Sequence, residues 1–190
     1  LIGSESHPEG YVIFKQRSED GNIEIRDWVV LTVAAARRLL TFLADHRSLV
    51  NKVLWYGSPL NPLLLLLPEQ SDRIKQLARW MLRIIDVPKA LEQRGYPVEL
   101  EAELHLNVRD NLLLENNGRF ILTASGGRGE VTPGGTGELQ LDVRGLAPLY
   151  TGLFTPHQLA LTGQLEANNA ALSVATQLFA GSEPWMSDRF

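Results

Sequence analysis

Residues 98–108, VELEAELHLNV, alternate apolar and polar side chains almost without a break. Val98, Leu100, Ala102, Leu104, Leu106 and Val108 share one parity, while Glu99, Glu101, Glu103, His105 and Asn107 share the other. Successive side chains of a strand point to opposite faces, so this period of two predicts a strand with one face in a core and one in water. Around it, Asp110-Asn111 reads as a turn into a second strand over 112–115. Asn117-Gly118 has the chemistry of a tight hairpin leading to a third over 119–124, which together make a meander. The glycine-rich GGRGEVTPGGTG reads as a flexible loop, and 138–143 as another alternating strand. Helical pieces are expected over 146–161, broken at Thr155-Pro156, and over 169–179, ended by Gly181 as a helix-terminal glycine. Upstream, 81–85 reads as a strand. Asp86-Val87-Pro88 then starts a short helix to about Arg94, because Asp accepts a first-turn N–H and Pro sacrifices no needed donor. The expected fold class is α+β: an antiparallel sheet covered by helices on one face.

The first part of the chain differs in character. Residues 11–16 and 23–31 read as a hairpin around Gly21-Asn22, and Thr32 can cap a helix over 33–46 with Ala36, Leu39, Leu40 and Leu43 on one face. Residues 52–56 follow as a strand. The five leucines 63–67 do not alternate, which suits a strand or short segment buried on both sides. This is a β-α-β unit. The hydrophilic stretch 69–75 marks a border, giving domains 1–75 and 76–190.

Several function classes are excluded or disfavoured by composition. A net charge of −4 argues against a nucleic-acid partner, which needs clustered Lys and Arg to displace phosphate counterions. Without Cys, and with His7, His46, His105 and His157 scattered, no metal-ligand spacing emerges and no metal is expected. The longest apolar run is too short to cross a bilayer and no signal-like segment opens the chain, so a soluble cytoplasmic protein without a membrane partner is expected. GGRGEVTPGG lacks the GKS or GKT of a phosphate loop. His105 among glutamates and His157 after Pro156 read as solvated surface, and Glu99, Glu101 and Glu103 as a solubilising face. No catalytic triad or paired-carboxylate arrangement is legible.

Two stretches carry a resemblance. WMLRIIDVPKALEQRGYP, the alternating strands after it, and the ending AALSVATQLFAGSEPWMSDRF together resemble the C-terminal domain of the Eis-like (enhanced intracellular survival) GNAT acetyltransferases, a domain similar in fold to the sterol carrier proteins. Upstream, EGYVIFKQ and IEIRDWVVLTVAAARRLLTFLADHRSLVNKVLWYGSPLNPLLLL resemble the latter half of that family's middle, GNAT-like domain. The resemblance implies a sterol carrier protein-like α+β domain preceded by a partial GNAT-like α/β unit, in a full-length acetyl-CoA-dependent N-acetyltransferase acting on a primary amine of an aminoglycoside, polyamine or lysine. Working GNAT domains hold the acetyl-CoA pyrophosphate at a glycine-rich strand-to-helix turn. Here the passage is VLTVAAARR, whose Cβ atoms hinder that approach. Acetyl-CoA is therefore expected to bind an N-terminal domain absent from this chain, which begins Leu-Ile-Gly and is expected to be inactive alone.

Chain ends are usually polar and poorly tied down, yet this one places Trp185, Met186 and Phe190 in SEPWMSDRF. By resemblance, the terminal carboxylate of Phe190 enters the active site and takes a proton from the amine. Trp185, Asp188 and Arg189 are then expected to contact the substrate. An Arg189–carboxylate pair would weaken that base. The family also forms hexamers, which implies a homo-oligomer. Two other readings stay open: a lipid- or sterol-binding carrier module, since this fold can enclose an apolar tunnel, and a purely oligomerising domain.

Overall fold

The computed structural model describes residues 1–17, 20–69 and 71–186. The chain divides into two compact units, one formed by Leu1–Leu77 with Trp185 and Met186, the other by Ala78–Pro184.

The first unit opens with β1 (Ile2–Gly3), β2 (Pro8–Arg17) and β3 (Asn22–Val30), an antiparallel run in which β2 and β3 form the expected hairpin. Helix α1 (Val33–Asp45) follows, capped by the Thr32 hydroxyl, which accepts the Ala35 N–H at 3.0 Å. β4 (Lys52–Trp55) then pairs parallel to β3, from Asn22 opposite Lys52 to Ile25 opposite Trp55. Sheet order is β1-β2-β3-β4. Ala35, Ala36 and Leu39 of α1 are buried, with Ile2, Val12, Trp28 and Val30 of the sheet packed around Ala35 and Leu39. The leucine run departs from expectation. Residues Pro62–Leu66 form a 3₁₀ helix because Asn61 caps it (Leu63 N–H to Oδ1, 3.0 Å), Pro62 presets its first turn, and Leu64 N–H reaches Asn61 C=O. Only part of it faces inward: Leu63 joins the core while Leu65 is 87% exposed.

The second unit begins with α2 (Val87–Gln93), started by Asp86 as expected: its carboxylate accepts the Lys89 N–H at 3.0 Å. Next come β5 (Ala102–Arg109), β6 (Gly118–Ser125), β7 (Arg128–Pro133) and β8 (Leu139–Asp142). Helices α3 (Val143–Tyr150) and α4 (Pro156–Leu161), strand β9 (Leu165–Ala167) and helix α5 (Asn169–Leu178) complete it. Sheet order is β7-β6-β5-β8-β9, antiparallel except for the β5–β8 pair. Leu104, Leu106 and Val108 line the core face with Leu122, Leu139 and Leu165, against Leu91, Leu146, Leu149 and Leu178 from the helices. Glu99, Glu101 and Glu103 are exposed, as the alternation required.

Several boundaries move for local reasons. β5 starts at Ala102 rather than 98 because Leu100 N–H donates to Pro97 C=O (3.1 Å) in a turn, which leaves Val98 exposed. Residues 112–115 are not a strand; a 3₁₀ turn, Leu114–Asn116, lies there with Leu112 and Leu114 outward. The meander is completed instead by β7, inside the stretch expected to be a loop, through a Gly126-Gly127 turn with φ of +57° and +83°. The remaining glycines cross the polar face of β5, where Thr136 N–H donates to His105 Nδ1 (2.9 Å). That acceptor role puts the ring proton on Nε2, which donates to Glu103 Oε1 at 2.8 Å, so His105 is engaged rather than simply solvated. No strand covers 81–85. There Ile84 enters the core, and Arg83 Nη2 donates to both carboxylate oxygens of Asp110 at 2.7 and 2.8 Å. Helix α5 stops at Leu178 with Phe179 as its cap, two residues before Gly181.

Candidate functional site

Of the residues singled out in the tail, Asp188, Arg189 and Phe190 lie outside the described residues. Trp185 is 48% exposed. What can be built upward from the structure is the root of that tail and the strand-to-helix joint where a GNAT cofactor would sit.

The root is organised by Arg94, just past α2. Its Nε donates to Tyr150 C=O (2.9 Å), and its Nη1 donates to Leu178 C=O (3.0 Å) and Gly95 C=O (2.8 Å). Tyr150 and Leu178 are the last residues of α3 and α5. Terminal carbonyls of a helix lack intrahelical donors and carry the negative end of its dipole, so a cation fits there. The guanidinium carbon also lies 5.2 Å from the Tyr96 ring centroid and 5.1 Å from that of Phe179. Burial lowers the pKa of Arg94 from its usual value, opposed by the nearby Tyr96 and Tyr150, and the side chain remains a cation. Tyr96 is buried, its hydroxyl donating to Leu91 C=O (2.7 Å), and burial pushes its pKa upward. Phe179 is buried, and Ala180, Gly181 and Ser182 beyond it are exposed. These residues pass the turn after α3: a Cβ added to Gly152 would lie 3.5 Å from Phe179 O and 3.9 Å from Ser182 O. Nothing in the sequence pairs Arg94 with Tyr150, Leu178 and Phe179; the fold alone assembles them.

The joint between β3 and α1 does not fit a pyrophosphate. Its first-turn Ala35 N–H is already held by Thr32 Oγ1, and the same hydroxyl donates to Glu9 Oε2 at 3.2 Å. A carboxylate thus stands where an anion would have to come. The adjoining cleft, about 360 Å³, is lined by Val30, Leu31, Thr32, Val33, Ala36, Pro62, Leu63, Leu65 and Leu66, and offers no cation.

In the second unit, a cleft of about 170 Å³ is lined by Arg83, Asp110, Asn111, Leu112, Asp142, Val143 and Arg144. It is smaller than the roughly 300–1,000 Å³ of ordinary ligand sites and edged with charge, unlike an apolar tunnel. Asp110, 1% exposed, accepts from Asn116 Nδ2 (2.9 Å), Leu112 N–H (2.9 Å), Leu113 N–H (3.1 Å) and Arg83. These bonds, that of Asn116 foremost, hold its carboxyl well below the usual carboxylate range. Every one of them is spent on loop structure. Among the described residues no group of His, Asp and Glu is arranged to hold a metal, and no helix is long and apolar enough to cross a membrane.

Comparison with known proteins agrees with this two-part build. Residues 87–187 match the sterol carrier protein domain and residues 1–84 an acetyltransferase (GNAT) domain. The crystal structure of a GCN5-related N-acetyltransferase from Anabaena variabilis is 56% identical and superimposes with a TM-score of 0.95, over 100% of this chain and 50% of that one. An uncharacterized N-acetyltransferase of Streptomyces griseus is 38% identical over 171 residues, 87% of this chain and 40% of its own length. N-acetyltransferase Eis of Mycobacterium tuberculosis is 30% identical over 172 residues, 87% of this chain and 41% of its own. The chain therefore spans well under half the length of these curated relatives.

Proposed function

Because the chain belongs to the sterol carrier protein domain family and corresponds to the C-terminal part of Eis-like GNAT proteins, we propose that it supplies the chain-terminal carboxylate of Phe190 to the active site of an N-acetyltransferase acting on a primary amine. The observation that carries this reading is the tail itself. Its root is fixed at Phe179 by a half-buried cation, and beyond it Trp185 keeps about half of its surface exposed.

The acetyl donor, acetyl-CoA, is held by a domain outside this chain; the β3–α1 joint, closed by Thr32 and Glu9, argues against a site here. The work left to this chain is proton transfer and substrate contact. An alkylamine with a pKa near 10 is an ammonium at neutral pH and must lose a proton before it can be acylated. A terminal carboxylate, ordinarily near 3.3–3.7, is a weak base for this, and apolar surroundings such as the Trp185 ring raise it. Asp188 offers the cationic amine a counter-charge, while Arg189 and Trp185 border the acceptor.

Deleting Phe190 confounds charge with packing, so the test appends one glycine to the full-length enzyme. The phenyl ring stays, its carboxylate becomes an amide, and the charge moves outward by about 3.5 Å. With the best acceptor among kanamycin, spermidine and a lysine peptide, kcat is expected to fall about 10²- to 10⁴-fold, the range for a positioned base. Unchanged kcat, kcat/KM and pH dependence would refute the proposal.

A further inference from the structure

The reading of Phe190 as a base requires its carboxylate to arrive at one place, yet the described tail, residues 180–186, lies in no helix or strand. Something must fix where the tail starts. We propose that Arg94 is the positioning residue of the catalytic tail: by tying the ends of α3 and α5 together beneath Phe179, it sets the point and direction from which the tail leaves. This inference rests on the proposed role of the Phe190 carboxylate.

The geometry is specific to a guanidinium. Two nitrogens of one rigid plane reach carbonyls 28 residues apart in sequence, those of Tyr150 and Leu178, while the guanidinium carbon lies 5.2 and 5.1 Å from the ring centroids of Tyr96 and Phe179. Lysine keeps the charge and three N–H donors on a flexible stem, but it lacks the planar fork that holds the Tyr150 and Leu178 carbonyls from two separate nitrogens. Phe179 contributes at both levels, because its ring touches Arg94 and its backbone begins the tail. Its N–H is held by Ala175 C=O at 2.9 Å, so the start of the tail is tied to the end of α5 that Arg94 grips through Leu178 C=O. The same corner is closed from the other side by Gly152, near Phe179 O and Ser182 O. A change in direction at this corner is carried into the residues that follow it in the second unit, Ala180 to Pro184.

The test compares the full-length enzyme with Arg94→Lys in two measurements, hydrogen exchange and steady-state kinetics. Exchange at the Phe179 amide and in the last turn of α5 is expected to rise at least tenfold, while β5 and β6 stay protected. kcat is expected to fall about 5- to 50-fold with KM for acetyl-CoA within about twofold, a split that general loss of stability would not produce. Unchanged exchange at this corner overturns the proposal whatever the chemistry. A loosened corner with unchanged kcat also overturns it if the glycine-extended enzyme is impaired; if that enzyme too keeps its kcat, the carboxylate reading has failed, and the positioning role falls with it. Should Arg94→Lys not fold, Phe179→Leu, which removes one ring from the stack and keeps an apolar side chain, is expected to give the same pair of changes and is judged by the same outcomes.

Discussion

Gly145, in the first turn of α3, sets two opposing effects against each other and makes the sign of a substitution worth measuring. Replacing an interior helical glycine by alanine ordinarily stabilises a protein by about 1 kcal/mol, since the unfolded chain loses freedom and the helix gains a good former. At Gly145 the new Cβ would lie 2.5 Å from the backbone oxygen of Gln164, just before β9, where real Cβ contacts do not fall below 3.0 Å. The carbonyl must retreat by at least 0.5 Å, the difference between those distances. It is not free to do so, because Leu165 beside it is 2% exposed and registers with Leu141 in the sheet, and Gln164 N–H donates to Leu159 C=O. Overpacking against backbone costs about 1–3 kcal/mol, more than the propensity gain. Gly145→Ala is therefore expected to be net destabilising, by up to about 2 kcal/mol. Urea unfolding followed by tryptophan fluorescence and far-ultraviolet dichroism reads this as a lowered midpoint with an unchanged slope. A midpoint equal to or above wild type would show that α3 and the approach to β9 are not packed as described.

Leu104→Ala, at a fully buried position opposite Leu122, is expected to cost about 2–5 kcal/mol, whereas Glu101→Ala should move the urea midpoint little; equal effects would refute the two-faced reading of β5. The carboxyl of Asp110 has its folded pKa lowered, so the stability it contributes is fully present above the ordinary carboxylate value of about 3.9 and is lost as pH falls toward the depressed folded value. Asp110→Asn should thus be less stable than wild type at pH 7, with the gap narrowing as pH falls from about 5 toward 3; a gap constant over that range would show that the buried charge is not the source. Calorimetric titration of this chain with acetyl-CoA is expected to show binding no tighter than millimolar, and a micromolar dissociation constant would contradict the reading of the β3–α1 joint.

What the sequence made legible was set by how local the cause is. Strand β5 could be read because burying Leu104, Leu106 and Val108 while wetting Glu103 needs only a period of two. The caps Thr32 and Asp86 could be read because each satisfies an N–H three residues away. The alternation misled at Val98, where Pro97 had already turned the chain, and the leucine run misled because Asn61-Pro62 had started a 3₁₀ helix. Strand β7 carried a signal that the surrounding glycines obscured: Gly126-Gly127 is the two-residue turn that joins hairpin strands. The parallel pairing of β8 with β5 and the meeting of Arg94 with Tyr150, Leu178 and Phe179 had no local cause at all.

The β3–α1 joint shows how a GNAT-like unit can keep its architecture with its anion site closed. Three things make a helix start receptive to a pyrophosphate: free N–H groups, a backbone that can be approached closely, and no competing negative charge. Here Thr32 has taken one N–H, Cβ atoms at Val33, Ala34 and Ala35 stand in place of glycine, and Glu9 adds a carboxylate from the neighbouring strand. None of these changes weakens the packing of the unit, because that depends on Ala35 and Leu39 meeting Ile2 through the face of α1 turned to the sheet. The capping bond adds to it, by about 1 kcal/mol for a typical Thr cap. The strand, turn and helix here therefore form a structural joint, its first-turn Ala35 N–H capped by Thr32 and a carboxylate of β2 beside it.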